Sequence, residues 1–325
     1  MKFYTSKILT GAFIATGSMF ACMSCVNDDL EELKANENRI IKEYLAANSG
    51  FTKTEGGIYF KELEAGTGLS PADIMEKTKY IFVNYTGRVL ETGIIRETSD
   101  SSLKSEWTSS TAFDHYLYGP AKIQYGFSMP GINEALSHMK EGGKARVIIP
   151  GDQANQDFIP LLYDLELVKV VSDAKVYEDT VVNAFLSKNG FGEETAVDTS
   201  MWFKVISSGI SEDSVDINDT VYFTYTGWLV DFFYDSVYTR VFDSNSVKYL
   251  YNSKITSGTM LLSNSKVPKA VQMALNLMKE GDKARIIAHY EYTFGEKGVV
   301  HSKYNYTIIP KLQTVAYDVE ITQIK

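Results

Sequence analysis

The sequence predicts an α+β protein made of two copies of one small domain. In each copy a curled antiparallel sheet wraps over one short helix, and an extra N-terminal helix precedes it. Two observations lead there. Ala135-Leu136-Ser137-His138-Met139-Lys140-Glu141-Gly142-Gly143-Lys144-Ala145-Arg146-Val147-Ile148-Ile149 returns 139 residues later as Ala274-Leu275-Asn276-Leu277-Met278-Lys279-Glu280-Gly281-Asp282-Lys283-Ala284-Arg285-Ile286-Ile287-Ala288, a match long enough to mark a duplicated module. Both copies also run through the same order of patterns: amphipathic helix, β-branched and aromatic strands, short helix, further strands.

The leader comes first. Lys2 and Lys7 precede an apolar run from Ile8 to Ala21, too short for a spanning helix and laid out like a secretory signal. It ends at Cys22 and Cys25, the two cysteines of the chain. A signal ending in a small residue before Cys resembles a bacterial lipobox, and Cys25, after Ser24 and before an acidic run, is the expected lipidation site. Cys22 after Ala21 is the rival, and a plain cleaved signal is the third reading. Residues 1–24 are thus expected to be a leader, 25–38 an acidic tether, 39–173 the first domain and 174–325 the second.

Composition removes several functions. Two cysteines at the leader leave no disulfide framework, CxxC pair or Cys-ligated zinc for the folded body. The histidines, His115, His138, His289 and His301, show no metal spacing. The formal charge is −9, and losing Lys2 and Lys7 with the leader would make it near −11. That balance argues against nucleic acid and against electrostatic attachment to anionic lipid. The membrane contact would be the N-terminal lipid.

Each element then has a sequence reason. Ile40, Ile41, Tyr44 and Leu45 fall on one helical face, as do Val181, Val182, Phe185 and Leu186. The runs Ile58-Tyr59-Phe60-Lys61-Glu62-Leu63 and Trp202-Phe203-Lys204-Val205-Ile206 are strand-like and end in Gly. Tyr80 to Leu90 and Thr220 to Val230 are strands with Gly87 and Gly227 in the middle, which predicts a bend or bulge. Ile132, Leu136 and Met139 recur at i, i+4, i+7, as do Val271, Leu275 and Met278, and Gly142 and Gly281 are read as helix C-caps. Lys144 to Ile149 and Lys283 to Ala288 are strands, and each copy closes on another. Tyr85-Thr86-Gly87 matches Tyr225-Thr226-Gly227, and Tyr163-Asp164-Leu165-Glu166 matches Tyr317-Asp318-Val319-Glu320. Offsets of 141, 140 and 139 rise to 154 at the end, so copy two carries 15 extra residues before its last strand.

The order of these motifs resembles the FKBP-type peptidyl-prolyl cis–trans isomerases: a Tyr-Thr-Gly strand, a Phe-Asp-Ser turn, Pro-Gly before a short helix, Met-Lys-Glu-Gly, Lys-Ala-Arg and a closing Tyr-Asp-x-Glu strand. The resemblance covers about 57–171 and 201–325. It implies an FKBP-like sheet whose concave side, with the helix, forms a small apolar pocket for a proline ring. It implies no nucleophile, metal or cofactor. Its partners would be proline-containing polypeptide clients or an envelope protein.

Carried over residue by residue, the resemblance separates the copies. In copy two Tyr225 matches the pocket floor, Phe242-Asp243-Ser244 the turn, and Ile309 and Tyr317 the far wall. Phe294 stands where the family has a tyrosine that donates to the ligand carbonyl, and Val271 where it has the basal tryptophan. Tyr225, Asp243 and Phe294 are the expected catalytic positions. In copy one Tyr85, Ile159, Tyr163 and Pro130-Gly131 remain and Ile132 replaces the tryptophan. There the turn has become Arg96-Glu97-Thr98 and the ligand tyrosine Ala154, so copy one is read as inactive. Two functions follow: a lipid-anchored envelope foldase acting on X–Pro bonds mainly through copy two, or an inactive FKBP-fold binding or assembly lipoprotein. The second is favoured by insertions at Asp100–Thr111, Asp231–Arg240 and Val299–Thr307, since long loops beside a pocket make recognition surfaces.

Overall fold

The computed structural model describes residues 18–73, 80–107, 116–126, 128–154, 157–192, 195–216, 219–231, 233, 241–250, 259–260, 265–300 and 306–325. Most of the expected leader, most of the Asp231–Arg240 insertion and parts of the other two insertions lie outside these residues, as does the Cys25 side chain. Among the described residues no helix is long and apolar enough to cross a membrane.

Each copy is one antiparallel sheet over one short helix, an α+β fold. In copy one the strands run in space Thr52–Lys53, Tyr59–Glu64, Lys144–Ile149, Leu161–Val171, Tyr80–Val89, Ile95–Thr98, and Ala121–Gln124 also pairs with Tyr80–Val89. Copy two repeats the order as Ala196–Asp198, Met201–Ser207, Lys283–Ala288, Val315–Ile324, Thr220–Leu229, Val241–Leu250. The repeated motifs turn out to be cross-strand pairs. Arg146 sits opposite Asp164 and Arg285 opposite Asp318. Each arginine grips its aspartate through two nitrogens, at 2.6 and 3.1 Å and at 2.8 and 2.9 Å, a geometry that fixes register as well as adding energy.

The short helices are Pro130–Ser137 and Lys269–Leu275. They bury Ile132, Ala135 and Leu136, and Ala270, Val271, Ala274 and Leu275, against the concave face. Both end before the expected glycine caps. Gly142 and Gly281 instead take positive φ in the turns that lead into the next strand, and each donates its N–H to a carbonyl of the copy's last strand, Leu167 and Ile321. The mid-strand glycines do bend the ladder, for the register shifts between Gly87 and Arg88 and between Gly227 and Trp228. A Cβ at Gly87 would lie 2.5 Å from the Tyr163 ring, and one at Gly227 2.6 Å from Phe242. Only glycine lets these aromatic rings approach the strand so closely.

The extra helices, Ser18–Ala47 and Ala174–Lys188, cover the backs of the sheets. Ile40 and Ile41 pack on Leu90 and Ile148, and Val181, Val182 and Leu186 on Trp228, Ile287 and Ala316. The stretch expected to be a tether is part of the first helix. Its solvent face carries spaced pairs such as Lys34 with Glu31, and its buried Glu37 accepts the N–H of Gly151.

One difference between the copies reshapes the molecule. In copy two the strand Val241–Leu250 runs unbroken beside Thr220–Leu229. In copy one its place is split: Thr98 pairs with Thr86 and Ala121 with Val83, so residues 99–120 stand where copy two has Asn245 and Ser246. Near its end, Tyr116 and Leu117 pack against the core of copy two.

The copies meet around one buried ion pair. Lys122 of copy one donates to Glu178 of copy two at 2.6 Å, with side chains 1% and 2% exposed. Lys122 also donates to the Leu312 carbonyl at 2.9 Å, and Glu178 accepts from Tyr80 at 2.9 Å and Thr314 at 2.6 Å. Tyr80, Phe82, Val171 and Tyr177 surround it with apolar surface continuous with the back of the second sheet. Buried charges persist only when fully partnered, and removing one partner costs far more than the pair is worth. Lys122→Ala is therefore expected to destabilise the protein by about 3–5 kcal/mol and to divide urea unfolding into two transitions. A loss below about 1 kcal/mol would mark the pair as incidental.

Nearby, buried Asp231 accepts from Tyr177 at 2.9 Å. Burial pushes its carboxyl up to about 6 from 3.8, against the opposing pull of Lys122. A raised folded-state value means that the folded protein holds the proton more tightly. This stability is complete below about 3.8 and is lost as pH rises through about 6. Denaturant titrations should show the parent losing roughly 2–3 kcal/mol more than Asp231→Asn between pH 4 and pH 7. Parallel pH profiles would refute this.

Candidate functional site

In copy two the expected pocket residues converge. Tyr225, Phe242, Val271, Ile309 and Tyr317 belong to one buried cluster with Phe294 packed against it. The Tyr225 hydroxyl donates to Asp243 at 2.5 Å, because Asp243 lies opposite Gly227, two residues along the neighbouring strand. Phe242 meets Phe294 edge-on at 5.6 Å and Tyr317 edge-on at 5.8 Å. The Tyr317 hydroxyl has no hydrogen-bond partner among the described residues, and burial holds its pKa well above the ordinary value. On the helix side Gln272 donates to the Val267 carbonyl at 2.6 Å. The arrangement is an apolar box with one tyrosine–aspartate pair in its floor, and its walls are nearly closed.

Copy one keeps the frame and changes the chemistry. The ladder fixes the loose match at the turn: Glu97 lies opposite Gly87 as Asp243 lies opposite Gly227, so Glu97 replaces Asp243 and Arg96 replaces Phe242. The longer carboxylate takes a different partner, accepting from Tyr163 at 2.6 Å. Tyr85 pairs its hydroxyl with Tyr116 at 2.9 Å. Tyr85, Ile132 and Tyr163 line a cavity of about 740 Å³. Ile159 does not form its far wall, being 38% exposed, and Ala154 packs against the core of copy one.

The far wall comes from elsewhere. Trp107 and Tyr116 from the strand-splitting insertion line the cavity, as do Tyr306, Thr307 and Pro310 of copy two. Trp107 is held by its indole N–H on the Arg96 carbonyl at 2.8 Å. Tyr116 meets Trp107 at 4.6 Å and Tyr306 at 5.6 Å. The sequence marked insertions at Asp100–Thr111 and Val299–Thr307 as surfaces beside pockets, bounds that take in Trp107, Tyr306 and Thr307 but stop short of Tyr116 and Pro310. The available signal was the aromatic content of Trp107, Tyr116 and Tyr118 in an otherwise Ser-rich loop. Among the described residues no group of three or more His, Cys, Asp or Glu gathers as a metal site.

With this geometry in place, comparison with known proteins becomes informative. Residues 212–322 match the family model of the FKBP-type peptidyl-prolyl cis-trans isomerases, so copy two carries a domain of that type. FKBP-type peptidyl-prolyl cis-trans isomerase FkpA of Escherichia coli is 27% identical over 147 residues, 43% of this chain and 46% of its own. The chain thus matches about half the length of that relative. Macrophage infectivity potentiator of Trypanosoma cruzi is 25% identical over 205 residues, 57% of this chain and 93% of its own. Among solved structures, a peptidyl-prolyl cis-trans isomerase from Pseudomonas syringae pv. tomato is 27% identical over 43% of this chain and 94% of its own, with a TM-score of 0.32. The three FKBP domains of wheat FKBP73 are 17% identical over 85% of this chain and 99% of theirs, with a TM-score of 0.28.

Proposed function

We propose that the protein binds proline-containing polypeptides and that copy two accelerates cis–trans isomerisation of X–Pro bonds. The observation carrying this is the Tyr225–Asp243 pair at the floor of an aromatic box, inside the stretch that matches the isomerase family. Rotation about the amide faces a barrier near 20 kcal/mol, because twisting destroys resonance and its charge separation. A water-poor apolar box favours the less polar twisted amide over the planar one. Phe242, Ile309 and Tyr317 would hold the proline ring. Phe294 would supply wall without the hydroxyl that steadies the neighbouring carbonyl, which makes turnover slow.

A second reading has an observation of its own. Phe242, Val271, Ile309 and Tyr317 are each no more than 1% exposed, which favours a binding or assembly role in which the box stays shut. We also place the protein in the bacterial envelope, anchored by lipid on Cys25 with Cys22 as the rival, a reading supported by the leader pattern alone.

Exchange measured on a proline peptide with the full chain separates the catalytic readings. The parent should accelerate it, Asp243→Ala and Tyr225→Phe should each lower the rate about tenfold or more, and Phe294→Tyr should raise it about fivefold, the worth of one hydrogen bond. No acceleration by the parent would sink the catalytic reading and leave binding, to be sought as suppression of client aggregation. For the anchor, labelled fatty acid should enter the parent and not Cys25→Ser in a bacterial host. Label retained in Cys25→Ser and lost in Cys22→Ser would move the site.

A further inference from the structure

The cavity of copy one has a wall chemistry that copy two lacks. Its carboxylate, Glu97, accepts one hydrogen bond from Tyr163, and among the described residues no cation lies within salt-bridge distance of it. The two cations that border the cavity are engaged elsewhere. The Lys122 ammonium is turned to Glu178 and the Leu312 carbonyl, so only its stem faces inward. The Arg96 guanidinium, 44% exposed, pairs with Asp157 at 3.6 Å. Burial is the main cause that raises the pKa of Tyr85, Tyr116 and Tyr163, Tyr116 to about 12, and the charge of Glu97 adds to it at all three. At Tyr163 Glu97 outweighs the opposing effect of Arg96.

Around that negative centre stand the rings of Trp107, Tyr116 and Tyr306. Trp107 and Tyr116 are inclined by 64°, and so are Tyr116 and Tyr306. Ring faces are the negative side of the aromatic quadrupole and attract a cation held over them. A carboxylate beside such faces supplies the charge-assisted hydrogen bond that offsets stripping water from an ammonium or guanidinium. At about 740 Å³ the cavity is larger than one side chain needs and has room for a length of extended chain. The net charge of −9 draws basic segments toward it.

We propose that this interdomain cavity binds a lysine or arginine side chain of an extended polypeptide, with Glu97 as counter-ion, Trp107 and Tyr116 as cage walls, and Tyr306 of copy two as the closing face. The proposal rests on the reading of the protein as a polypeptide binder and gives that binder a preference for basic clients.

The test is calorimetric titration of the full chain with four proline-containing peptides that differ at one position: lysine, arginine, norleucine or glutamate. The lysine and arginine peptides should bind roughly tenfold tighter than norleucine, with glutamate weakest and the preference shrinking as salt rises. Glu97→Gln, close to isosteric, should reduce the preference to about twofold or less while leaving the thermal midpoint near the parent's. Tyr306→Ala, across the domain boundary, should weaken the lysine peptide more than the norleucine one. Equal binding of lysine and norleucine peptides, or a preference that survives Glu97→Gln, would overturn the cation site and leave polypeptide binding standing. Failure of the parent to bind any of the four would overturn both.

Discussion

The Lys122–Glu178 pair is the contact through which two copies become one object. Two charges removed from water are tolerated because the Leu312 carbonyl, Tyr80 and Thr314 complete their hydrogen bonds. The satisfied network ties the two copies together at this point. It joins a strand of copy one to the helix that opens copy two, while the Leu312 carbonyl stands two residues beyond Pro310. The short strand between Tyr306 and Pro310 thereby lies against the cavity of copy one. Apolar packing around Phe82 and Tyr177 supplies the area, and the ion pair supplies the direction.

Much of each domain was legible in the chain. Helical spacing located the short core helices, and the glycine within an aromatic strand located the bulge. Both are local consequences of backbone geometry. The Arg–Asp cross-strand pairs explain why one block is repeated so closely: Arg146 and Arg285 hold register, which any working copy needs. Gly142 and Gly281 mark turns rather than helix ends, since a positive φ serves both. The helical course of the acidic tether was missed because its stabilising pairs lie on the solvent face and leave no apolar stripe. What could not be read was the asymmetry of the two concave faces. It depends on an insertion that splits a strand and on a loop arriving from the other copy, and neither leaves a periodic trace.

A single register position shows how little separates the two chemistries. At one place in the ladder an aspartate pairs with the floor tyrosine of copy two, and a glutamate pairs with the wall tyrosine of copy one. The added methylene changes which hydroxyl is engaged and leaves Tyr85 to bond Tyr116. With phenylalanine replaced by arginine beside it, the same frame holds a buried apolar cluster on one side and an aromatic cavity with an acidic centre on the other.

The shared wall of that cavity bears on how the protein can change over time. A tandem duplication ordinarily leaves each unit free to be lost, reordered or recombined with other modules. Here Tyr306 and Pro310 belong to one gene segment and the cavity they close belongs to the other. Deleting or transplanting either segment would destroy a surface that neither encodes alone. Each half supplies part of a surface that the other completes, so the cavity exists only in the tandem chain.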